Sequence, residues 1–146
     1  MHKDPQELAE AVGAAMFPRD RNAHFLGIRL DEIRPGYARM SLSVRPEMTN
    51  GHDVCHGGII YTLADTAFAY ACNSHNGNAL ASACSIDYLA PAHPGDTLGV
   101  VCEERHLAGR TGVYDAVVTN QDGKRIALFR GKSHRVQGEV VRQQGE

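Results

Sequence analysis

The spacing of apolar residues changes along the chain, and these changes predict its secondary structure. Residues 4–17 carry apolar side chains at helical spacing behind an early proline, which predicts an N-terminal helix. The next segment, "HFLGIRLDEIRPG", favours a strand that ends in a Pro-Gly turn. "YARMSLSV" alternates between apolar and polar residues, which is typical of a half-buried strand.

The most apolar stretch is "HGGIIYTLADTAFAY", residues 56–70. Interpreted as a helix, it places apolar side chains on nearly every face, which is typical of a buried helix. Its single carboxylate, Asp65, is costly to bury unless it has a partner or a function. We predict a loop over Gly51–Gly58 and then a buried helix that reaches about Ser74.

The rest of the sequence consists of strand patterns separated by turn sequences. The predicted strands are Ala79–Leu89, Thr97–His106, Val113–Asn120 and Lys124–Val136. A polar tail from Gln137 is expected to fray. Two strands, a buried helix and four more strands predict one domain over residues 1–146, with an α+β fold. In this fold an antiparallel sheet wraps around one central helix.

Composition narrows the possible functions. The 146 residues are 42% hydrophobic and 22% charged, which fits one folded domain with a core and argues against disorder. The formal net charge of −2 gives no field that would attract nucleic acid or an anionic membrane. Neither a signal peptide nor an apolar run of about 18 residues is present, so we expect a cytosolic protein without a membrane partner.

Cysteine and histidine spacing favours neither a disulfide framework nor a metal site. The four cysteines form no CxxC pair, and buried reduced thiols are expected in the cytosol. His52 and His56 are four residues apart, but they precede the predicted helix and no metal-binding helix motif follows them. We therefore expect no metal and no other cofactor.

Six fragments in order carry a resemblance to a known family. They are "NGHDVCHGG", "LADTAFAYACNS", "ASACSIDYL", "GDTL", "TGVYD" and "ALFRGKSHR". Together they resemble the PaaI-type acyl-CoA thioesterases of phenylacetate catabolism, which have the hotdog fold, over about residues 25–136. The resemblance implies hydrolysis of acyl-CoA thioesters, among them phenylacetyl-CoA and hydroxyphenylacetyl-CoA, without a metal or redox cofactor. It also implies a homodimer as the minimal unit and a homotetramer built from two dimers.

The resemblance assigns catalysis to Asn50, His56, Gly57 and Asp65, which match the family's motif in this sequence. Physical reasoning supports this assignment, because Gly57 and Gly58 at a helix N-terminus are expected to leave backbone N–H groups free for an oxyanion. Asp65 would then attack the carbonyl or activate water. The alternatives are glycines that only allow a tight turn, and a buried acid satisfied by neighbouring hydroxyls.

Two further residues have open roles. The Asn50 side chain can donate to the thioester or to water, or it can simply form the turn in "TNG". His56 can position the loop, contact the substrate or protonate the leaving thiol, or it can be a packed histidine.

Spacing along the helix indicates a site shared between chains. Eight residues separate Gly57 from Asp65, which corresponds to about 12 Å along a helix. Both groups therefore cannot contact one carbonyl group. Two such helices lying antiparallel across a two-fold axis would bring Gly57 of one chain opposite Asp65 of the other.

Candidate contacts to coenzyme A are the helix-start glycine and residues of the later strands. They are Gly58, Arg110, Thr111, Gly112, Lys132 and His134. Arg130 and Arg135 belong to the same basic group, in which Arg130, Lys132 and His134 share one strand face. This group can hold phosphates through charge-assisted hydrogen bonds, although such residues also occur on solvated strand faces.

Two other functions remain open. A hotdog hydratase or dehydratase would need a histidine paired with an acid on the helix, and the first histidine after Gly58 is His75. A non-catalytic acyl-CoA-binding module would retain its ligand without releasing thiol.

Overall fold

The computed structural model describes residues 4–143. The helices are α1 (Pro5–Met16), α2 (Arg21–Leu26) and α3 (Gly57–Asn73), and the strands are β1 (Arg29–Arg34), β2 (Tyr37–Ser43), β3 (Gly77–Tyr88), β4 (Thr97–Ala108), β5 (Thr111–Thr119) and β6 (Arg125–Glu139). This order confirms the predicted α+β architecture. No helix within residues 4–143 is long and apolar enough to cross a membrane.

The six strands form one antiparallel sheet in the order β1-β2-β4-β5-β6-β3. Helix α3 packs on one face, where its Phe68 ring contacts Tyr114 and Phe129 with centroid distances of 5.6 and 5.8 Å. Gly131 of β6 allows this close approach, because a Cβ atom there would lie 2.8 Å from the Phe68 ring. The core therefore lies between α3 and the central strands.

The sheet covers most of α3 but leaves one stripe of it uncovered in the single chain. Leu63, Ala64 and Ala67 are fully buried. By contrast, Gly58 is exposed and Asp65 is only half-buried. The carboxylate therefore lies on the part of the helix that this chain does not itself cover.

The predicted strand over residues 24–36 is wrong at its start, because a short helix precedes it. The Asp20 carboxylate accepts a hydrogen bond from the Ala23 N–H at 3.1 Å and so caps α2. Gly27 ends the helix with a left-handed φ of 74°. Strand β1 consequently begins only at Arg29.

The polar tail does not fray at Gln137, because β6 continues to Glu139 and the segment after it is held. The Asn76 side chain donates to the Val141 carbonyl and accepts from the Val141 N–H, both at 2.8 Å. The Val140 N–H also donates to the Asn76 carbonyl at 2.9 Å. One buried asparagine thus serves as a short strand partner for the segment that follows β6.

Candidate active site

The start of α3 leaves one backbone amide free. His56 is the N-cap residue, and its Nδ1 atom accepts a hydrogen bond from the Gly58 N–H at 2.8 Å. The expectation of a free N–H is therefore wrong for Gly58, because the imidazole satisfies it. The Gly57 N–H has no hydrogen-bond partner within the described part of the chain. Since Nδ1 is the acceptor, Nε2 of His56 carries a proton and can donate.

The loop before α3 holds Asn50 by one end of its side chain. Its Oδ1 atom accepts from the His52 N–H at 2.9 Å, and its backbone N–H donates to the Val54 carbonyl, also at 2.9 Å. The amide nitrogen of the side chain has no partner among residues 4–143 and remains able to donate. Asn50 can therefore form the turn and still contact a ligand.

Asp65 lacks the neighbouring donors that would satisfy a structural acid. The hydroxyl groups of Thr62 and Thr66 donate instead to the carbonyls of Gly58 and Thr62, at 2.8 and 2.6 Å. The only polar contact to the carboxylate within the described residues is a weak one, from Cys84 Sγ to Oδ1 at 4.0 Å. Burial without strong donors raises the pKa of Asp65.

Two side chains beside Asp65 have raised pKa values, which favour their neutral forms. The Tyr61 hydroxyl hydrogen-bonds the Cys84 thiol, and this bond together with burial raises the pKa of Tyr61 to about 12. Burial is the main cause that raises the pKa of the Cys84 thiol. Asp65 is therefore the group of this cluster that ionises most readily near neutral pH.

A residue that the sequence analysis missed lies at the start of α3. The Tyr88 hydroxyl, at the end of β3, donates to the Gly57 carbonyl at 2.8 Å. A Cβ atom on Gly57 would lie only 3.0 Å from the Tyr88 ring. No local pattern in "SIDYL" indicates this contact, since it depends on how β3 packs beside α3.

The candidate residues for coenzyme A do not form one cluster in the chain. Gly58 lies at the start of α3, whereas Arg110 lines a cavity of about 60 Å³ beside Cys72 and His75 at the other end of that helix. Arg135 lines the same cavity, and its backbone N–H donates to the Arg110 carbonyl at 2.7 Å. Thr111 follows Arg110 in the chain and begins β5.

The remaining basic residues differ in whether they are free. Lys132 and His134 are exposed and share the outer face of β6 with Arg130, while Gly112 is buried. Arg130 is already engaged, because its guanidinium donates twice to Asp115 at 2.7 and 2.9 Å. This pairing holds the pKa of Asp115 below its usual range.

The chain is similar to several known proteins. The model of the thioesterase superfamily matches residues 52–127. The acyl-coenzyme A thioesterase PaaI of Escherichia coli K12 is 50% identical over 127 residues, which cover 87% of this chain and 91% of that protein. A putative esterase of Archaeoglobus fulgidus is 40% identical over 89% of this chain and 84% of its own length.

Solved structures agree with these relatives. The E. coli PaaI protein from the phenylacetic acid degradation operon superposes with a TM-score of 0.91 at 48% identity, covering 92% of this chain and 97% of that one. A mutant of phenylacetic acid degradation protein PaaI from Thermus thermophilus gives 0.78 at 36% identity, covering 80% of this chain and 100% of that one.

A Streptococcus mutans UA159 protein solved with bound acetyl-CoA is also similar. Its TM-score is 0.74 at 26% identity, and the match covers 77% of this chain and 90% of that one. The matched family, the identity to a curated thioesterase and the shared fold agree with one another. The chain therefore belongs to the PaaI-type acyl-CoA thioesterases, which have the hotdog fold.

Proposed function

We propose that this acyl-CoA thioesterase hydrolyses phenylacetyl-CoA or its ring-hydroxylated derivatives, releasing the free acid and coenzyme A. The observation that carries the proposal is the layout of α3. Among residues 4–143, its Gly57 amide is unpaired and its half-buried Asp65 carboxylate, about two turns further along the helix, has no strong donor. Two similar proteins are named for phenylacetic acid degradation, which supports an aryl substrate.

The chemistry follows from these two groups. The Gly57 N–H donates to the carbonyl oxygen of the thioester as negative charge develops on it. Asp65 either attacks the carbonyl carbon, forming an anhydride that water then hydrolyses, or removes a proton from the attacking water. In both routes the carbon–sulfur bond breaks and the thiolate leaves. Nε2 of His56 and the side-chain amide of Asn50 are the additional donors at this site.

The site is completed by a second chain. Gly57 and Asp65 are about 12 Å apart along α3, too far to act on one carbonyl group. The uncovered stripe of α3 and the open edge of β3, where Leu80 is 63% exposed, offer a surface for a second copy. Two antiparallel α3 helices would form two sites per dimer, and two dimers would form a homotetramer.

The second helix also changes the charge state of Asp65. In the single chain, burial raises the pKa of this carboxyl group. The positive end of the partner's α3 would face the carboxylate and favour its ionised form. The dimer would thus offset part of the cost of burying this charge, while the pKa of Asp65 stays raised by burial.

Coenzyme A would extend from the reacting carbon towards basic residues. Arg110 and Arg135 line the cavity at the C-terminal end of α3, and Lys132 and His134 are exposed on the outer face. Guanidinium and ammonium groups bind phosphate through charge-assisted hydrogen bonds.

Mixing two inactive variants tests the shared site. Gly57→Pro removes the free N–H and Asp65→Asn removes the carboxylate, so each homodimer should release no thiol from phenylacetyl-CoA. After subunit exchange, proven by two different affinity tags on one dimer, the mixed dimer retains one intact site. Activity should return to at most half of the wild-type rate per dimer. Proven exchange without recovered activity would contradict a composite site.

A substrate panel tests the reaction itself. Wild type and Asp65→Asn are incubated with phenylacetyl-CoA, hydroxyphenylacetyl-CoA and acetyl-CoA, and free thiol is measured. We expect fastest release from the two aryl substrates and none with the variant. Tight retention of the thioester without thiol release would instead identify a binding module.

A further inference from the structure

An apolar groove runs alongside the start of α3. Its volume is about 340 Å³, and its walls include Val54, Ile60, Leu89 and Pro91. Gly57 lines the same groove. The free amide of the proposed oxyanion hole therefore belongs to a residue that borders an apolar recess.

Tyr88 lines this groove and also contacts the backbone at the start of α3. Its hydroxyl donates to the Gly57 carbonyl at 2.8 Å, and its ring lies 3.0 Å from the position that a Cβ atom on Gly57 would take. The residue nevertheless remains 51% exposed. Part of Tyr88 thus holds the Gly57–Gly58 peptide, which is joined through the Gly57 α-carbon to the peptide that carries the free Gly57 N–H, while the rest of its surface is open towards the groove.

This placement links the oxyanion donor to the acyl group. A backbone amide stabilises an oxyanion only where its position is fixed before the reaction. An aromatic ring beside a groove favours another aromatic ring, through contacts worth more than their buried area alone. Tyr88 is placed to supply both effects at one site.

We propose that Tyr88 is a positioning and specificity-determining residue. Its hydroxyl fixes the Gly57–Gly58 peptide and thereby the orientation of Gly57, whose N–H is the donor, and its ring forms the wall against which the aryl part of the thioester lies. The inference rests on the proposed function and deepens it, because it selects aryl and arylacetyl thioesters over short acyl ones.

The test compares Tyr88→Phe and Tyr88→Ala on phenylacetyl-CoA and acetyl-CoA. Tyr88→Phe keeps the wall and loses one hydrogen bond, so kcat should fall about 2–10-fold on both substrates while KM stays constant. Tyr88→Ala also loses the ring, so the KM for phenylacetyl-CoA should in addition rise about 2–10-fold. The KM for acetyl-CoA should change little, because its methyl group does not reach the wall.

A second comparison uses the contact with Gly57. Gly57→Ala places a methyl group 3.0 Å from the Tyr88 ring, which forces one of the two to move. In the Tyr88→Ala background that methyl group has room. Gly57→Ala should therefore lower kcat less in the Tyr88→Ala background than in the wild type. If the two residues acted independently of each other, the loss of kcat would be the same in both backgrounds.

Tyr37 provides the matched control. It lies on β2 with the Arg34 guanidinium 3.7 Å from its ring centroid, and it does not line the groove. Tyr37→Phe and Tyr37→Ala should leave the preference between the two substrates unchanged. Thermal unfolding of every variant separates lost activity from lost fold.

The outcomes distinguish the two levels of the proposal. A wild type that hydrolyses neither thioester would refute the proposed function, and with it this inference. An active wild type with Tyr88 variants that keep its kcat and its substrate preference would refute the role of Tyr88 alone. Equal KM changes on both substrates would refute the role of the Tyr88 ring as a contact for the aryl group.

Discussion

His56 shows how a single side chain decides which amide of α3 is free. Its Nδ1 atom takes the Gly58 N–H, so the Gly57 N–H is the one that remains open at the start of the helix. An N-cap side chain satisfies one of the donors that the helix cannot pair itself. The histidine therefore has a structural task beside any contact that its Nε2 makes with substrate.

Two substitutions of His56 separate these tasks. Asn is a good N-cap residue and Ala is a poor one, so His56→Ala should lower the free energy of unfolding by about 1 kcal/mol and His56→Asn by only a few tenths. Both variants lose the imidazole. Denaturant unfolding measures the first effect and thiol release the second. Equal stability of the two variants would contradict the capping role.

The ionised form of Asp65 should lower the free energy of unfolding. Its pKa is raised in the folded chain by burial, so its contribution is fully favourable below the unfolded pKa and is lost as the pH rises through the folded pKa. Asp65→Asn cannot ionise. We expect the variant to be more stable than the wild type at neutral pH, with the difference vanishing under acid conditions, as measured by denaturant unfolding across pH.

The raised pKa of Asp65 should also set the pH below which activity falls. If the ionised carboxylate acts, kcat/KM should fall as the pH drops through the raised pKa of Asp65, which lies above the usual range of a carboxyl group. A pH–rate profile of the wild type measures this. An acid limb at or below the ordinary carboxyl value would contradict a raised pKa of Asp65 in the active enzyme.

The central helix and the sheet meet through one glycine. Phe68 of α3 lies where a side chain on Gly131 of β6 would have to be. Because cores are closely packed and resist added volume, even one methyl group there forces a shift.

Gly131→Ala should therefore destabilise the protein by about 1–3 kcal/mol. Gly99→Ala is the matched control, since Gly99 also lies in a strand but a Cβ atom there meets nothing within 4 Å. Denaturant unfolding of both variants measures the difference. Similar losses in the two variants would show that the Phe68 contact carries no special weight.

Prediction from sequence succeeded for elements whose apolar period is long, such as α3 and the later strands. It missed α2, although Asp20 and Gly27 are the cap residues that mark a short helix. The six residues of α2 are too few to show a helical period, and "HFLGIRL" is equally compatible with a strand.

The candidate site shows a similar division. Gly57 and Asp65 stand out in the sequence because glycines and an acid are unusual in so apolar a helix. Tyr88 does not stand out, because its role depends on a contact between residues 31 positions apart. The capping of Gly58 by His56 was likewise hidden, since it depends on the rotamer of the imidazole.

The whole molecule should be a dimer held at the β3 edge. Leu80→Lys places a charge on an exposed apolar residue of that strand, so the variant should shift towards monomers and lose activity at both sites together. Phe25→Lys is the control, because Phe25 is 75% exposed but precedes β1, at the opposite edge of the sheet. Light scattering after size exclusion measures the mass. A fully active Leu80→Lys monomer would contradict the shared site.

Because the Asn76 side chain binds Val141, the effect of Asn76→Gly on stability should depend on whether the segment after β6 is present. Asn76 adopts a left-handed φ of 82°, which glycine adopts without strain. With the segment after β6 present, Asn76→Gly would release that segment and weaken the corner between α3 and β3. In a truncated protein ending at residue 139, the Asn76 side chain has lost its hydrogen-bond partner Val141. There Asn76→Gly would only relieve backbone strain, so it should raise the free energy of unfolding instead of lowering it.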